Sequence, residues 1–544
     1  MQYNRTLSAK LVLIVFMICQ IGFSQVNYLD KHISLSVREQ KLEDVLIMIG
    51  RKAGFGFSYN ANAVPGDSLV SLDANNIKIS RILTQLIGND YQYKMVGNHV
   101  VILHINRQAK KAKKDRKNTY TITGYIIDSR TGQKISEATV YDLSSMNSAL
   151  TDNRGYYSLE LPSGPDMIGL SYCKRSYFDT VLIIEPSDNP ALDVHLVPEP
   201  AVPERIPMKK LQNDSTELYK SPAVKWFVRE DMIAHSLNLD IYEKRPGQLS
   251  FLPYAGTNSK VSGAIVNNVS VNILAGYSDG TRGVEMGGLV NIDGTDMCGI
   301  QIAGLGNMVG RNTTGVQLAG IFNTCKGSVK GVQIAGISNL GFDTVSGAQV
   351  AGIYNHLNGE MKGVQLAGFM NSAGNDVDGI QVAGFANITA GDVKALQLSG
   401  FYNHSCNVGG VQVSGFSNVA AGNVRFMQVA GFSNFGKNIG GLQLAGFSNI
   451  ASDTVAVVQL SGAANYAKTV SGIQVAGIIN IATQNNRGFQ LAGLLNIADT
   501  VKGCQLAVFN YADTVTGVSF GLFSLVRKGF RCFEVSADDA TTAG

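Results

Sequence analysis

Gly363-Val364-Gln365-Leu366-Ala367-Gly368-Phe369-Met370-Asn371 is one copy of a phrase that the chain repeats fourteen times between Gln301 and Gln505, at a spacing of fifteen or sixteen residues. Self-similarity at a fixed period marks a repeat architecture in which each copy is one structural unit. Counting from the glutamine, the next residue is always Leu, Ile or Val and the second is always Ala or Ser. The third is Gly until Val508, and the sixth is Asn from Asn307 to Asn496; Glu285 holds the glutamine's place one repeat earlier. An aliphatic residue on each side of the glutamine, as in Val316 and Leu318, has the period-two pattern of a strand. The small pair that follows, Ala319-Gly320 for instance, predicts a corner, because Gly lacks the Cβ that would clash with a neighbouring backbone or forbid positive φ.

Sixteen extended residues span roughly 50 Å of contour, enough for one closed turn of a flattened solenoid whose successive turns stack about 4.8 Å apart. Equivalent residues then lie above one another. Gln317, Gln333, Gln349, Gln365, Gln381 and Gln397 would form one structural amide ladder, and Asn323, Asn339, Asn355, Asn371, Asn387 and Asn403 a second, each carbonyl accepting from the next coil's amide. Leu, Val and Phe are expected to stack into a continuous dry core. The drops in spacing to fifteen fall between the Asn and the next Val-x-Gly, where a turn can absorb them. Nine to eleven strand residues plus a short turn is also the unit of an antiparallel transmembrane β-barrel. That architecture would aim the frequent Phe, as at Phe385 or Phe432, into the lumen beside Gln and Asn. A bend at the Gly removes the difficulty for a solenoid. The fold class read from the sequence is therefore mostly β: a small α+β domain, a β-sandwich, then a long repetitive β-solenoid, with the barrel as the alternative.

The chain has 544 residues, enough for several domains. Gly 60 against Pro 12 fits a repetitive β protein with many tight corners. Charged residues make up 16% and the net charge is +4, with no basic stripe that would point to nucleic acid. Residues 1–25 read as a secretory signal: Arg5 and Lys10 precede the apolar run Leu11 to Ile18, and Phe16-Met17-Ile18 offers no small residue before Cys19 for lipoprotein processing. Six cysteines remain after export, at 173, 298, 325, 406, 504 and 532, out of phase with one another in the repeat and without metal-ligand spacing; they read as isolated small hydrophobes.

Between residues 26 and 107, Leu42, Val45, Leu46 and Ile49, and again Ile79, Ile82, Leu83 and Leu86, fall on single helical faces. A hairpin is expected around Gly97-Asn98, leading into His99 to Leu103. This segment resembles the secretin and TonB short N-terminal domain, on Ile33 to Val37, Leu42 to Leu46, Gly54 to Tyr59 and the closing Tyr91 to Leu103 hairpin. The resemblance implies a periplasmic module that makes protein contacts. A lysine-rich run at 108–118 reads as a solvated linker. Residues 119–198 are all strand. On Thr121 to Asp128, Thr131-Gly132, Ala138 to Val140, Thr151 to Leu159 and Leu161 to Gly164 they resemble the carboxypeptidase regulatory-like domain, which implies a β-sandwich without a peptidase's zinc site.

Residues 199–262 read as a proline-marked linker and cap, with Trp226 expected to pack over the open end of the repeats, since solenoid ends need caps. The tandem repeats occupy 263–528 and a tail 529–544. The repeats are similar to bacterial surface-repeat proteins of the cell envelope, which implies export to the outer membrane or cell surface of a Gram-negative-type envelope. No H-E-x-x-H, G-x-S-x-G or P-loop occurs, and Gly304-Leu305-Gly306 is repeat punctuation rather than a dinucleotide fingerprint. Asp293, Asp343, Asp376, Asp378, Asp392, Asp453, Asp499 and Asp513 are expected mostly in turns, where Asp bonds its own backbone. No catalytic, cofactor or metal residue is assigned. The expected function is a non-enzymatic envelope surface protein presenting a repetitive scaffold for adhesion or binding, with an envelope protein or surface glycan as partner, outer-membrane association, and neither nucleic acid nor nucleotide. The barrel alternative implies transport or signalling instead.

Overall fold

The computed structural model describes residues 28–59, 64–96, 99–104, 119–143, 145–162, 168–184, 190–199, 218–239 and 243–528. The expected signal segment with Cys19, the expected turn at Gly97-Asn98, the expected basic linker, Pro200, Pro203, Pro207, the expected tail and Cys532 lie outside the described residues. The chain divides into two compact units, Met1–Gly315 and Val316–Gly544.

The first unit opens with an α+β fold: β1 (His32–Lys41), α1 (Leu42–Ala53), β2 (Gly56–Tyr59), β3 (Leu69–Lys78), α2 (Ile79–Ile87), β4 (Tyr91–Val96) and β5 (His99–His104). β1 pairs antiparallel with β3, and β2, β5 and β4 form a second sheet in that order. The two helical stripes supply the core: Leu42, Val45, Ile49, Ile79, Ile82 and Leu83 are all fully buried. α1 stops because Gly54 takes a left-handed φ of 84°, which lets its N–H bond the Gly50 carbonyl.

A sandwich follows, with β6 (Thr119–Asp128), β7 (Thr139–Asp142), β8 (Ser148–Leu150), β9 (Tyr156–Pro162), β10 (Ile168–Cys173), β11 (Thr180–Ile184) and β12 (Val194–Leu196). One sheet has the order β11-β10-β7-β8 and the other β12-β6-β9. Alternation in β6 and β9 buries Ile122, Ile126, Tyr157 and Leu159 between them. The Tyr157 and Tyr172 hydroxyls bond each other at 3.0 Å, which satisfies two polar groups inside that core.

α3 (Pro222–Phe227) and α4 (Glu230–Asn238) join the sandwich to the first coils. His235 of α4 contacts Thr139 Oγ1 at 3.1 Å through Nδ1, and burial pushes its pKa down to about 4, so it sits there neutral. Ser236 Oγ and the Tyr277 hydroxyl are 2.7 Å apart, and Tyr277 in turn donates to Tyr219. Trp226 departs from expectation: it is 81% exposed, with Phe227 edge-on beside its ring. Tyr219, before α3, and Leu239, after α4, are the buried residues instead, Tyr219 through its hydroxyl bond with Tyr277.

Coils of one construction begin in the first unit and make up the described part of the second. In the first unit Glu243–Leu252 pairs in parallel with Ile265–Asn272, that strand with Gly280–Gly287, and that with Met297–Ala303. A second parallel sheet contains Ala275–Ser278, Val290–Asp293 and Gly306–Val309. In the second unit each coil again gives one strand to each of two sheets, with Gln349 opposite Gln365 and Asn355 opposite Asn371. Pairing between successive coils is parallel throughout, which is the solenoid and not the up-and-down order of an antiparallel barrel. Where spacing drops to fifteen, Gln397 still faces Gln412 and Asn403 still faces Asn418, so the deletion is absorbed outside the strands.

The corner glycine is fixed by close approach. A Cβ added at Gly352, Gly368, Gly384 or Gly400 would run into the carbonyl oxygen of the equivalent glycine one coil below. The interior corrects the expected core. Gln and Asn side chains point inward, with Ala, Val and a few Ser and Thr, while the residues on either side of each glutamine and the phenylalanines after the corner glycine point outward. The reason is parity: in a period-two strand, burying the glutamine forces both its neighbours to the opposite face. The inward amides tolerate burial because they are hydrogen-bonded.

Candidate functional site

The two amide columns run through the interior in opposite senses. Each glutamine Nε2 donates toward the preceding coil: Gln333 to Gln317, Gln349 to Gln333, Gln365 to Gln349, Gln381 to Gln365 and Gln397 to Gln381, at 2.7–2.9 Å. Each asparagine Nδ2 donates toward the following coil: Asn323 to Asn339, Asn339 to Asn355, Asn355 to Asn371, Asn371 to Asn387 and Asn387 to Asn403, at 2.8–2.9 Å. The second amide hydrogen of asparagine goes to a corner carbonyl of the next coil, as from Asn355 to Leu366 O at 2.8 Å. Glutamine thus stitches the sheet interior while asparagine ties down the bend. These groups are fully buried, which removes any reading of them as an exposed glycan-binding face.

Sequence reasoning stopped both columns short. Gln248 occupies the glutamine place opposite Ser270, which faces Glu285. Asn510 extends the asparagine column, accepting from Asn496 at 3.0 Å although the corner before it has lost its glycine. Gln505 ends its column opposite Ser519, too short to reach it, and its Oε1 has no partner among the described residues.

In the first unit the glutamine column meets an acid pair. Gln301 Nε2 donates to Glu285 Oε2 at 2.8 Å and to Asp293 Oδ2 at 3.1 Å, and the two carboxyls are hydrogen-bonded to each other. Asn272 donates to Glu285 at 2.9 Å and Ser278 to Asp293 at 2.5 Å. Asp293 is therefore an interior residue rather than a turn aspartate; Asp343, Asp378 and Asp499 are exposed, and Asp376, Asp392, Asp453 and Asp513 lie partly exposed. Burial raises both pKa values, and for Asp293 the neighbouring Glu285 charge raises it further, so the pair shares a proton.

A pH dependence follows from that proton. Above the ordinary carboxylate range near pH 4 the unfolded chain has released it while the native state retains it, so stability should fall as pH rises through the window up to the raised native values. Glu285→Gln keeps an amide to meet Asp293 and holds no proton, so it should flatten the profile. Hydrogen exchange of the Ile265 to Val309 region at both ends of the window checks this; an unchanged slope in Glu285→Gln counts against the shared proton.

Among the described cysteines, Cys173 and Cys325 are buried, Cys406 and Cys504 are half-buried, and Cys298 departs from expectation in being disulfide-bonded.

The outward face of the second unit is the other built feature. Phe369, Phe385, Phe401, Phe416, Phe432 and Phe447 stack face to face with centroids 4.8–4.9 Å apart and ring planes within 6°. They remain 41–50% exposed, far more apolar surface than scattered side chains leave. Leu366, Leu398 and Leu444 run beside them on the adjoining sheet. Three residues before six of the fourteen glutamines, on the same outward parity, the chain places Lys330, Lys362, Lys394, Arg425, Arg487 and Lys502, all exposed. No protein-family model and no curated protein matches the chain.

Proposed function

We propose that the protein is a non-enzymatic cell-envelope surface protein whose coil stack is a scaffold for distributed adhesion or binding to an envelope protein or surface glycan. The observation that carries this reading is the phenylalanine column: one outward side chain recurring every 4.8–4.9 Å gives a repeated contact rather than a focused pocket. The two amide ladders support it, since they make the scaffold rigid without using the outer surface. The apolar start of the chain and the resemblances of the first two domains add the envelope placement. Fractionation of cells producing an epitope-tagged chain, with protease added to intact cells, tests it. The tag should travel with the envelope and be cut from outside; a tag found in the cytoplasmic fraction and protected would overturn the proposal.

A further inference from the structure

We infer that the outward face of the second unit seats in one leaflet of an anionic phospholipid membrane, with the phenylalanine column as its deepest line. The inference goes beyond the adhesion reading, since it gives the phenylalanine column a lipid contact in place of a protein or glycan one, and rests on the envelope placement alone for its biological setting. Four observations point to lipid.

From one residue before each glutamine to one residue after each asparagine, the outward positions between Val316 and Tyr511 carry no Asp, Glu, Lys or Arg. Thirteen coils at the usual spacing make this surface roughly 60 Å long, with a strand of about 13 Å on either side of the corner. Few soluble surfaces leave so large an apolar strip uncovered.

The backbone of the corner is already satisfied. Gly352 N–H bonds Ala335 O, Ile353 N–H bonds Ile337 O, and Tyr354 N–H bonds the same Ile337 carbonyl; the pattern repeats at Gly368, Phe369 and Met370. A polypeptide surface in hydrocarbon must meet this condition, because no water is present to accept an orphan amide. Side chains on this face can therefore enter an acyl layer without stranding a backbone donor.

The charge is arranged for anionic headgroups. Cations border the apolar strip at six coils, with Asp378 among them and with Lys362 and Lys394 paired to Glu360 and Asp378 at 2.9 and 3.7 Å, while Asp343, Glu360, Asp376, Asp392 and Asp453 lie in the turns beyond the strip. Long basic side chains flanking an apolar band reach headgroups while their stems stay in the interface. A second copy would bring the same net positive charge to this face, six cations against Asp378, so charge complementarity favours anionic lipid over self-association.

The depth fits as well. Strands of about 13 Å slope away from the phenylalanine crest on both sides, less than the roughly 15 Å of one hydrocarbon leaflet. Tyr354, Tyr402, His356 and His404 stand on the second sheet, the amphipathic side chains favoured at a membrane interface.

The test uses the full chain and vesicles of phosphatidylcholine, alone or mixed with phosphatidylglycerol. The protein should co-sediment with the mixed vesicles and less with the zwitterionic ones. Phe401→Asp with Phe416→Asp should weaken binding at least about tenfold, and Lys362→Glu with Lys394→Glu should remove the preference for phosphatidylglycerol. A gentler variant guards against misfolding: in a Trp226→Phe background, Phe416→Trp should shift its emission to the blue on binding and be quenched by brominated acyl chains. Absence of vesicle binding by the folded chain, binding indifferent to the Phe→Asp pair, or a discrete dimer dissolved by that pair would each overturn the proposal. Because vesicle binding is measured without cells, its failure is distinct from a failure of the envelope placement.

Discussion

Asn403→Leu should cost the surrounding coils about 4 kcal/mol, at roughly 1–3 kcal/mol for each buried polar group left without a partner. Asn403 Nδ2 donates to Val413 O at 2.7 Å and to Asn418 Oδ1 at 2.9 Å, and its own Oδ1 accepts from Asn387 Nδ2 at 2.9 Å. Leucine matches the side chain in size but offers none of these bonds. Gln397→Leu removes a comparable set, because Gln397 donates to Gln381 at 2.9 Å and accepts from Gln412 at 2.7 Å. Each coil of a solenoid contacts only its neighbours, so the damage should stay local. Hydrogen exchange should accelerate in coils on either side of Asn403 and leave distant coils nearly unchanged. His404→Leu, one residue along and on the outward parity, is the control and should lie within about 0.5 kcal/mol of the parent. Equal losses at 403 and 404 would mean that the ladder contributes nothing beyond volume.

That contrast between adjacent residues also shows how much of the structure was legible in the sequence. The period, the columns, the corner glycine and the position of Glu285 all follow from spacing, because stacking like on like needs nothing more than register. Which parity faces inward does not follow from hydrophobicity. Leu366 and Phe369 look like core and are outside, while Gln365 and Asn371 look like surface and are fully buried. A different signal was present: the inward places hold nearly one residue type in every repeat, whereas the fourth place after glutamine ranges over Leu, Ile, Phe and Ala. A narrow interior filled by interlocked amides tolerates no such variation; an outer face does. Gln248 was missed because twenty-two residues, not sixteen, separate it from its partner Ser270, and Asn510 because a lost corner glycine shifts it by one. The basic column was equally readable three residues before six of the fourteen glutamines. It carried no meaning until the parity placed it beside an exposed apolar strip.

The steric argument at the corner gives the second large effect. Gly400→Ala should destabilise its coils by about 3 kcal/mol or more, because overpacking a closely fitted site forces backbone to move. A Cβ there would lie well inside contact distance of the Gly384 carbonyl oxygen, which is backbone and cannot rotate away. Relief requires prising two coils apart, and that would stretch the amide bonds joining Gln381 to Gln397 and Asn387 to Asn403, which flank the same corner. Gly409 provides the matched control. Its Cβ would meet nothing nearer than 3.6 Å and its φ is not positive, so Gly409→Ala should be neutral or stabilise by about 0.4–1 kcal/mol through the unfolded chain. Limited proteolysis and denaturant midpoints of the two single variants separate the cases, since the substitution is chemically the same. New cleavage near residue 400 in Gly400→Ala, with Gly409→Ala as resistant as the parent, is the expected pair of results. If Gly400→Ala melts with the parent, coil spacing at the corner is looser than a glycine carbonyl contact, and the tight stacking that brings the phenylalanine rings to 4.8 Å would lose its steric basis.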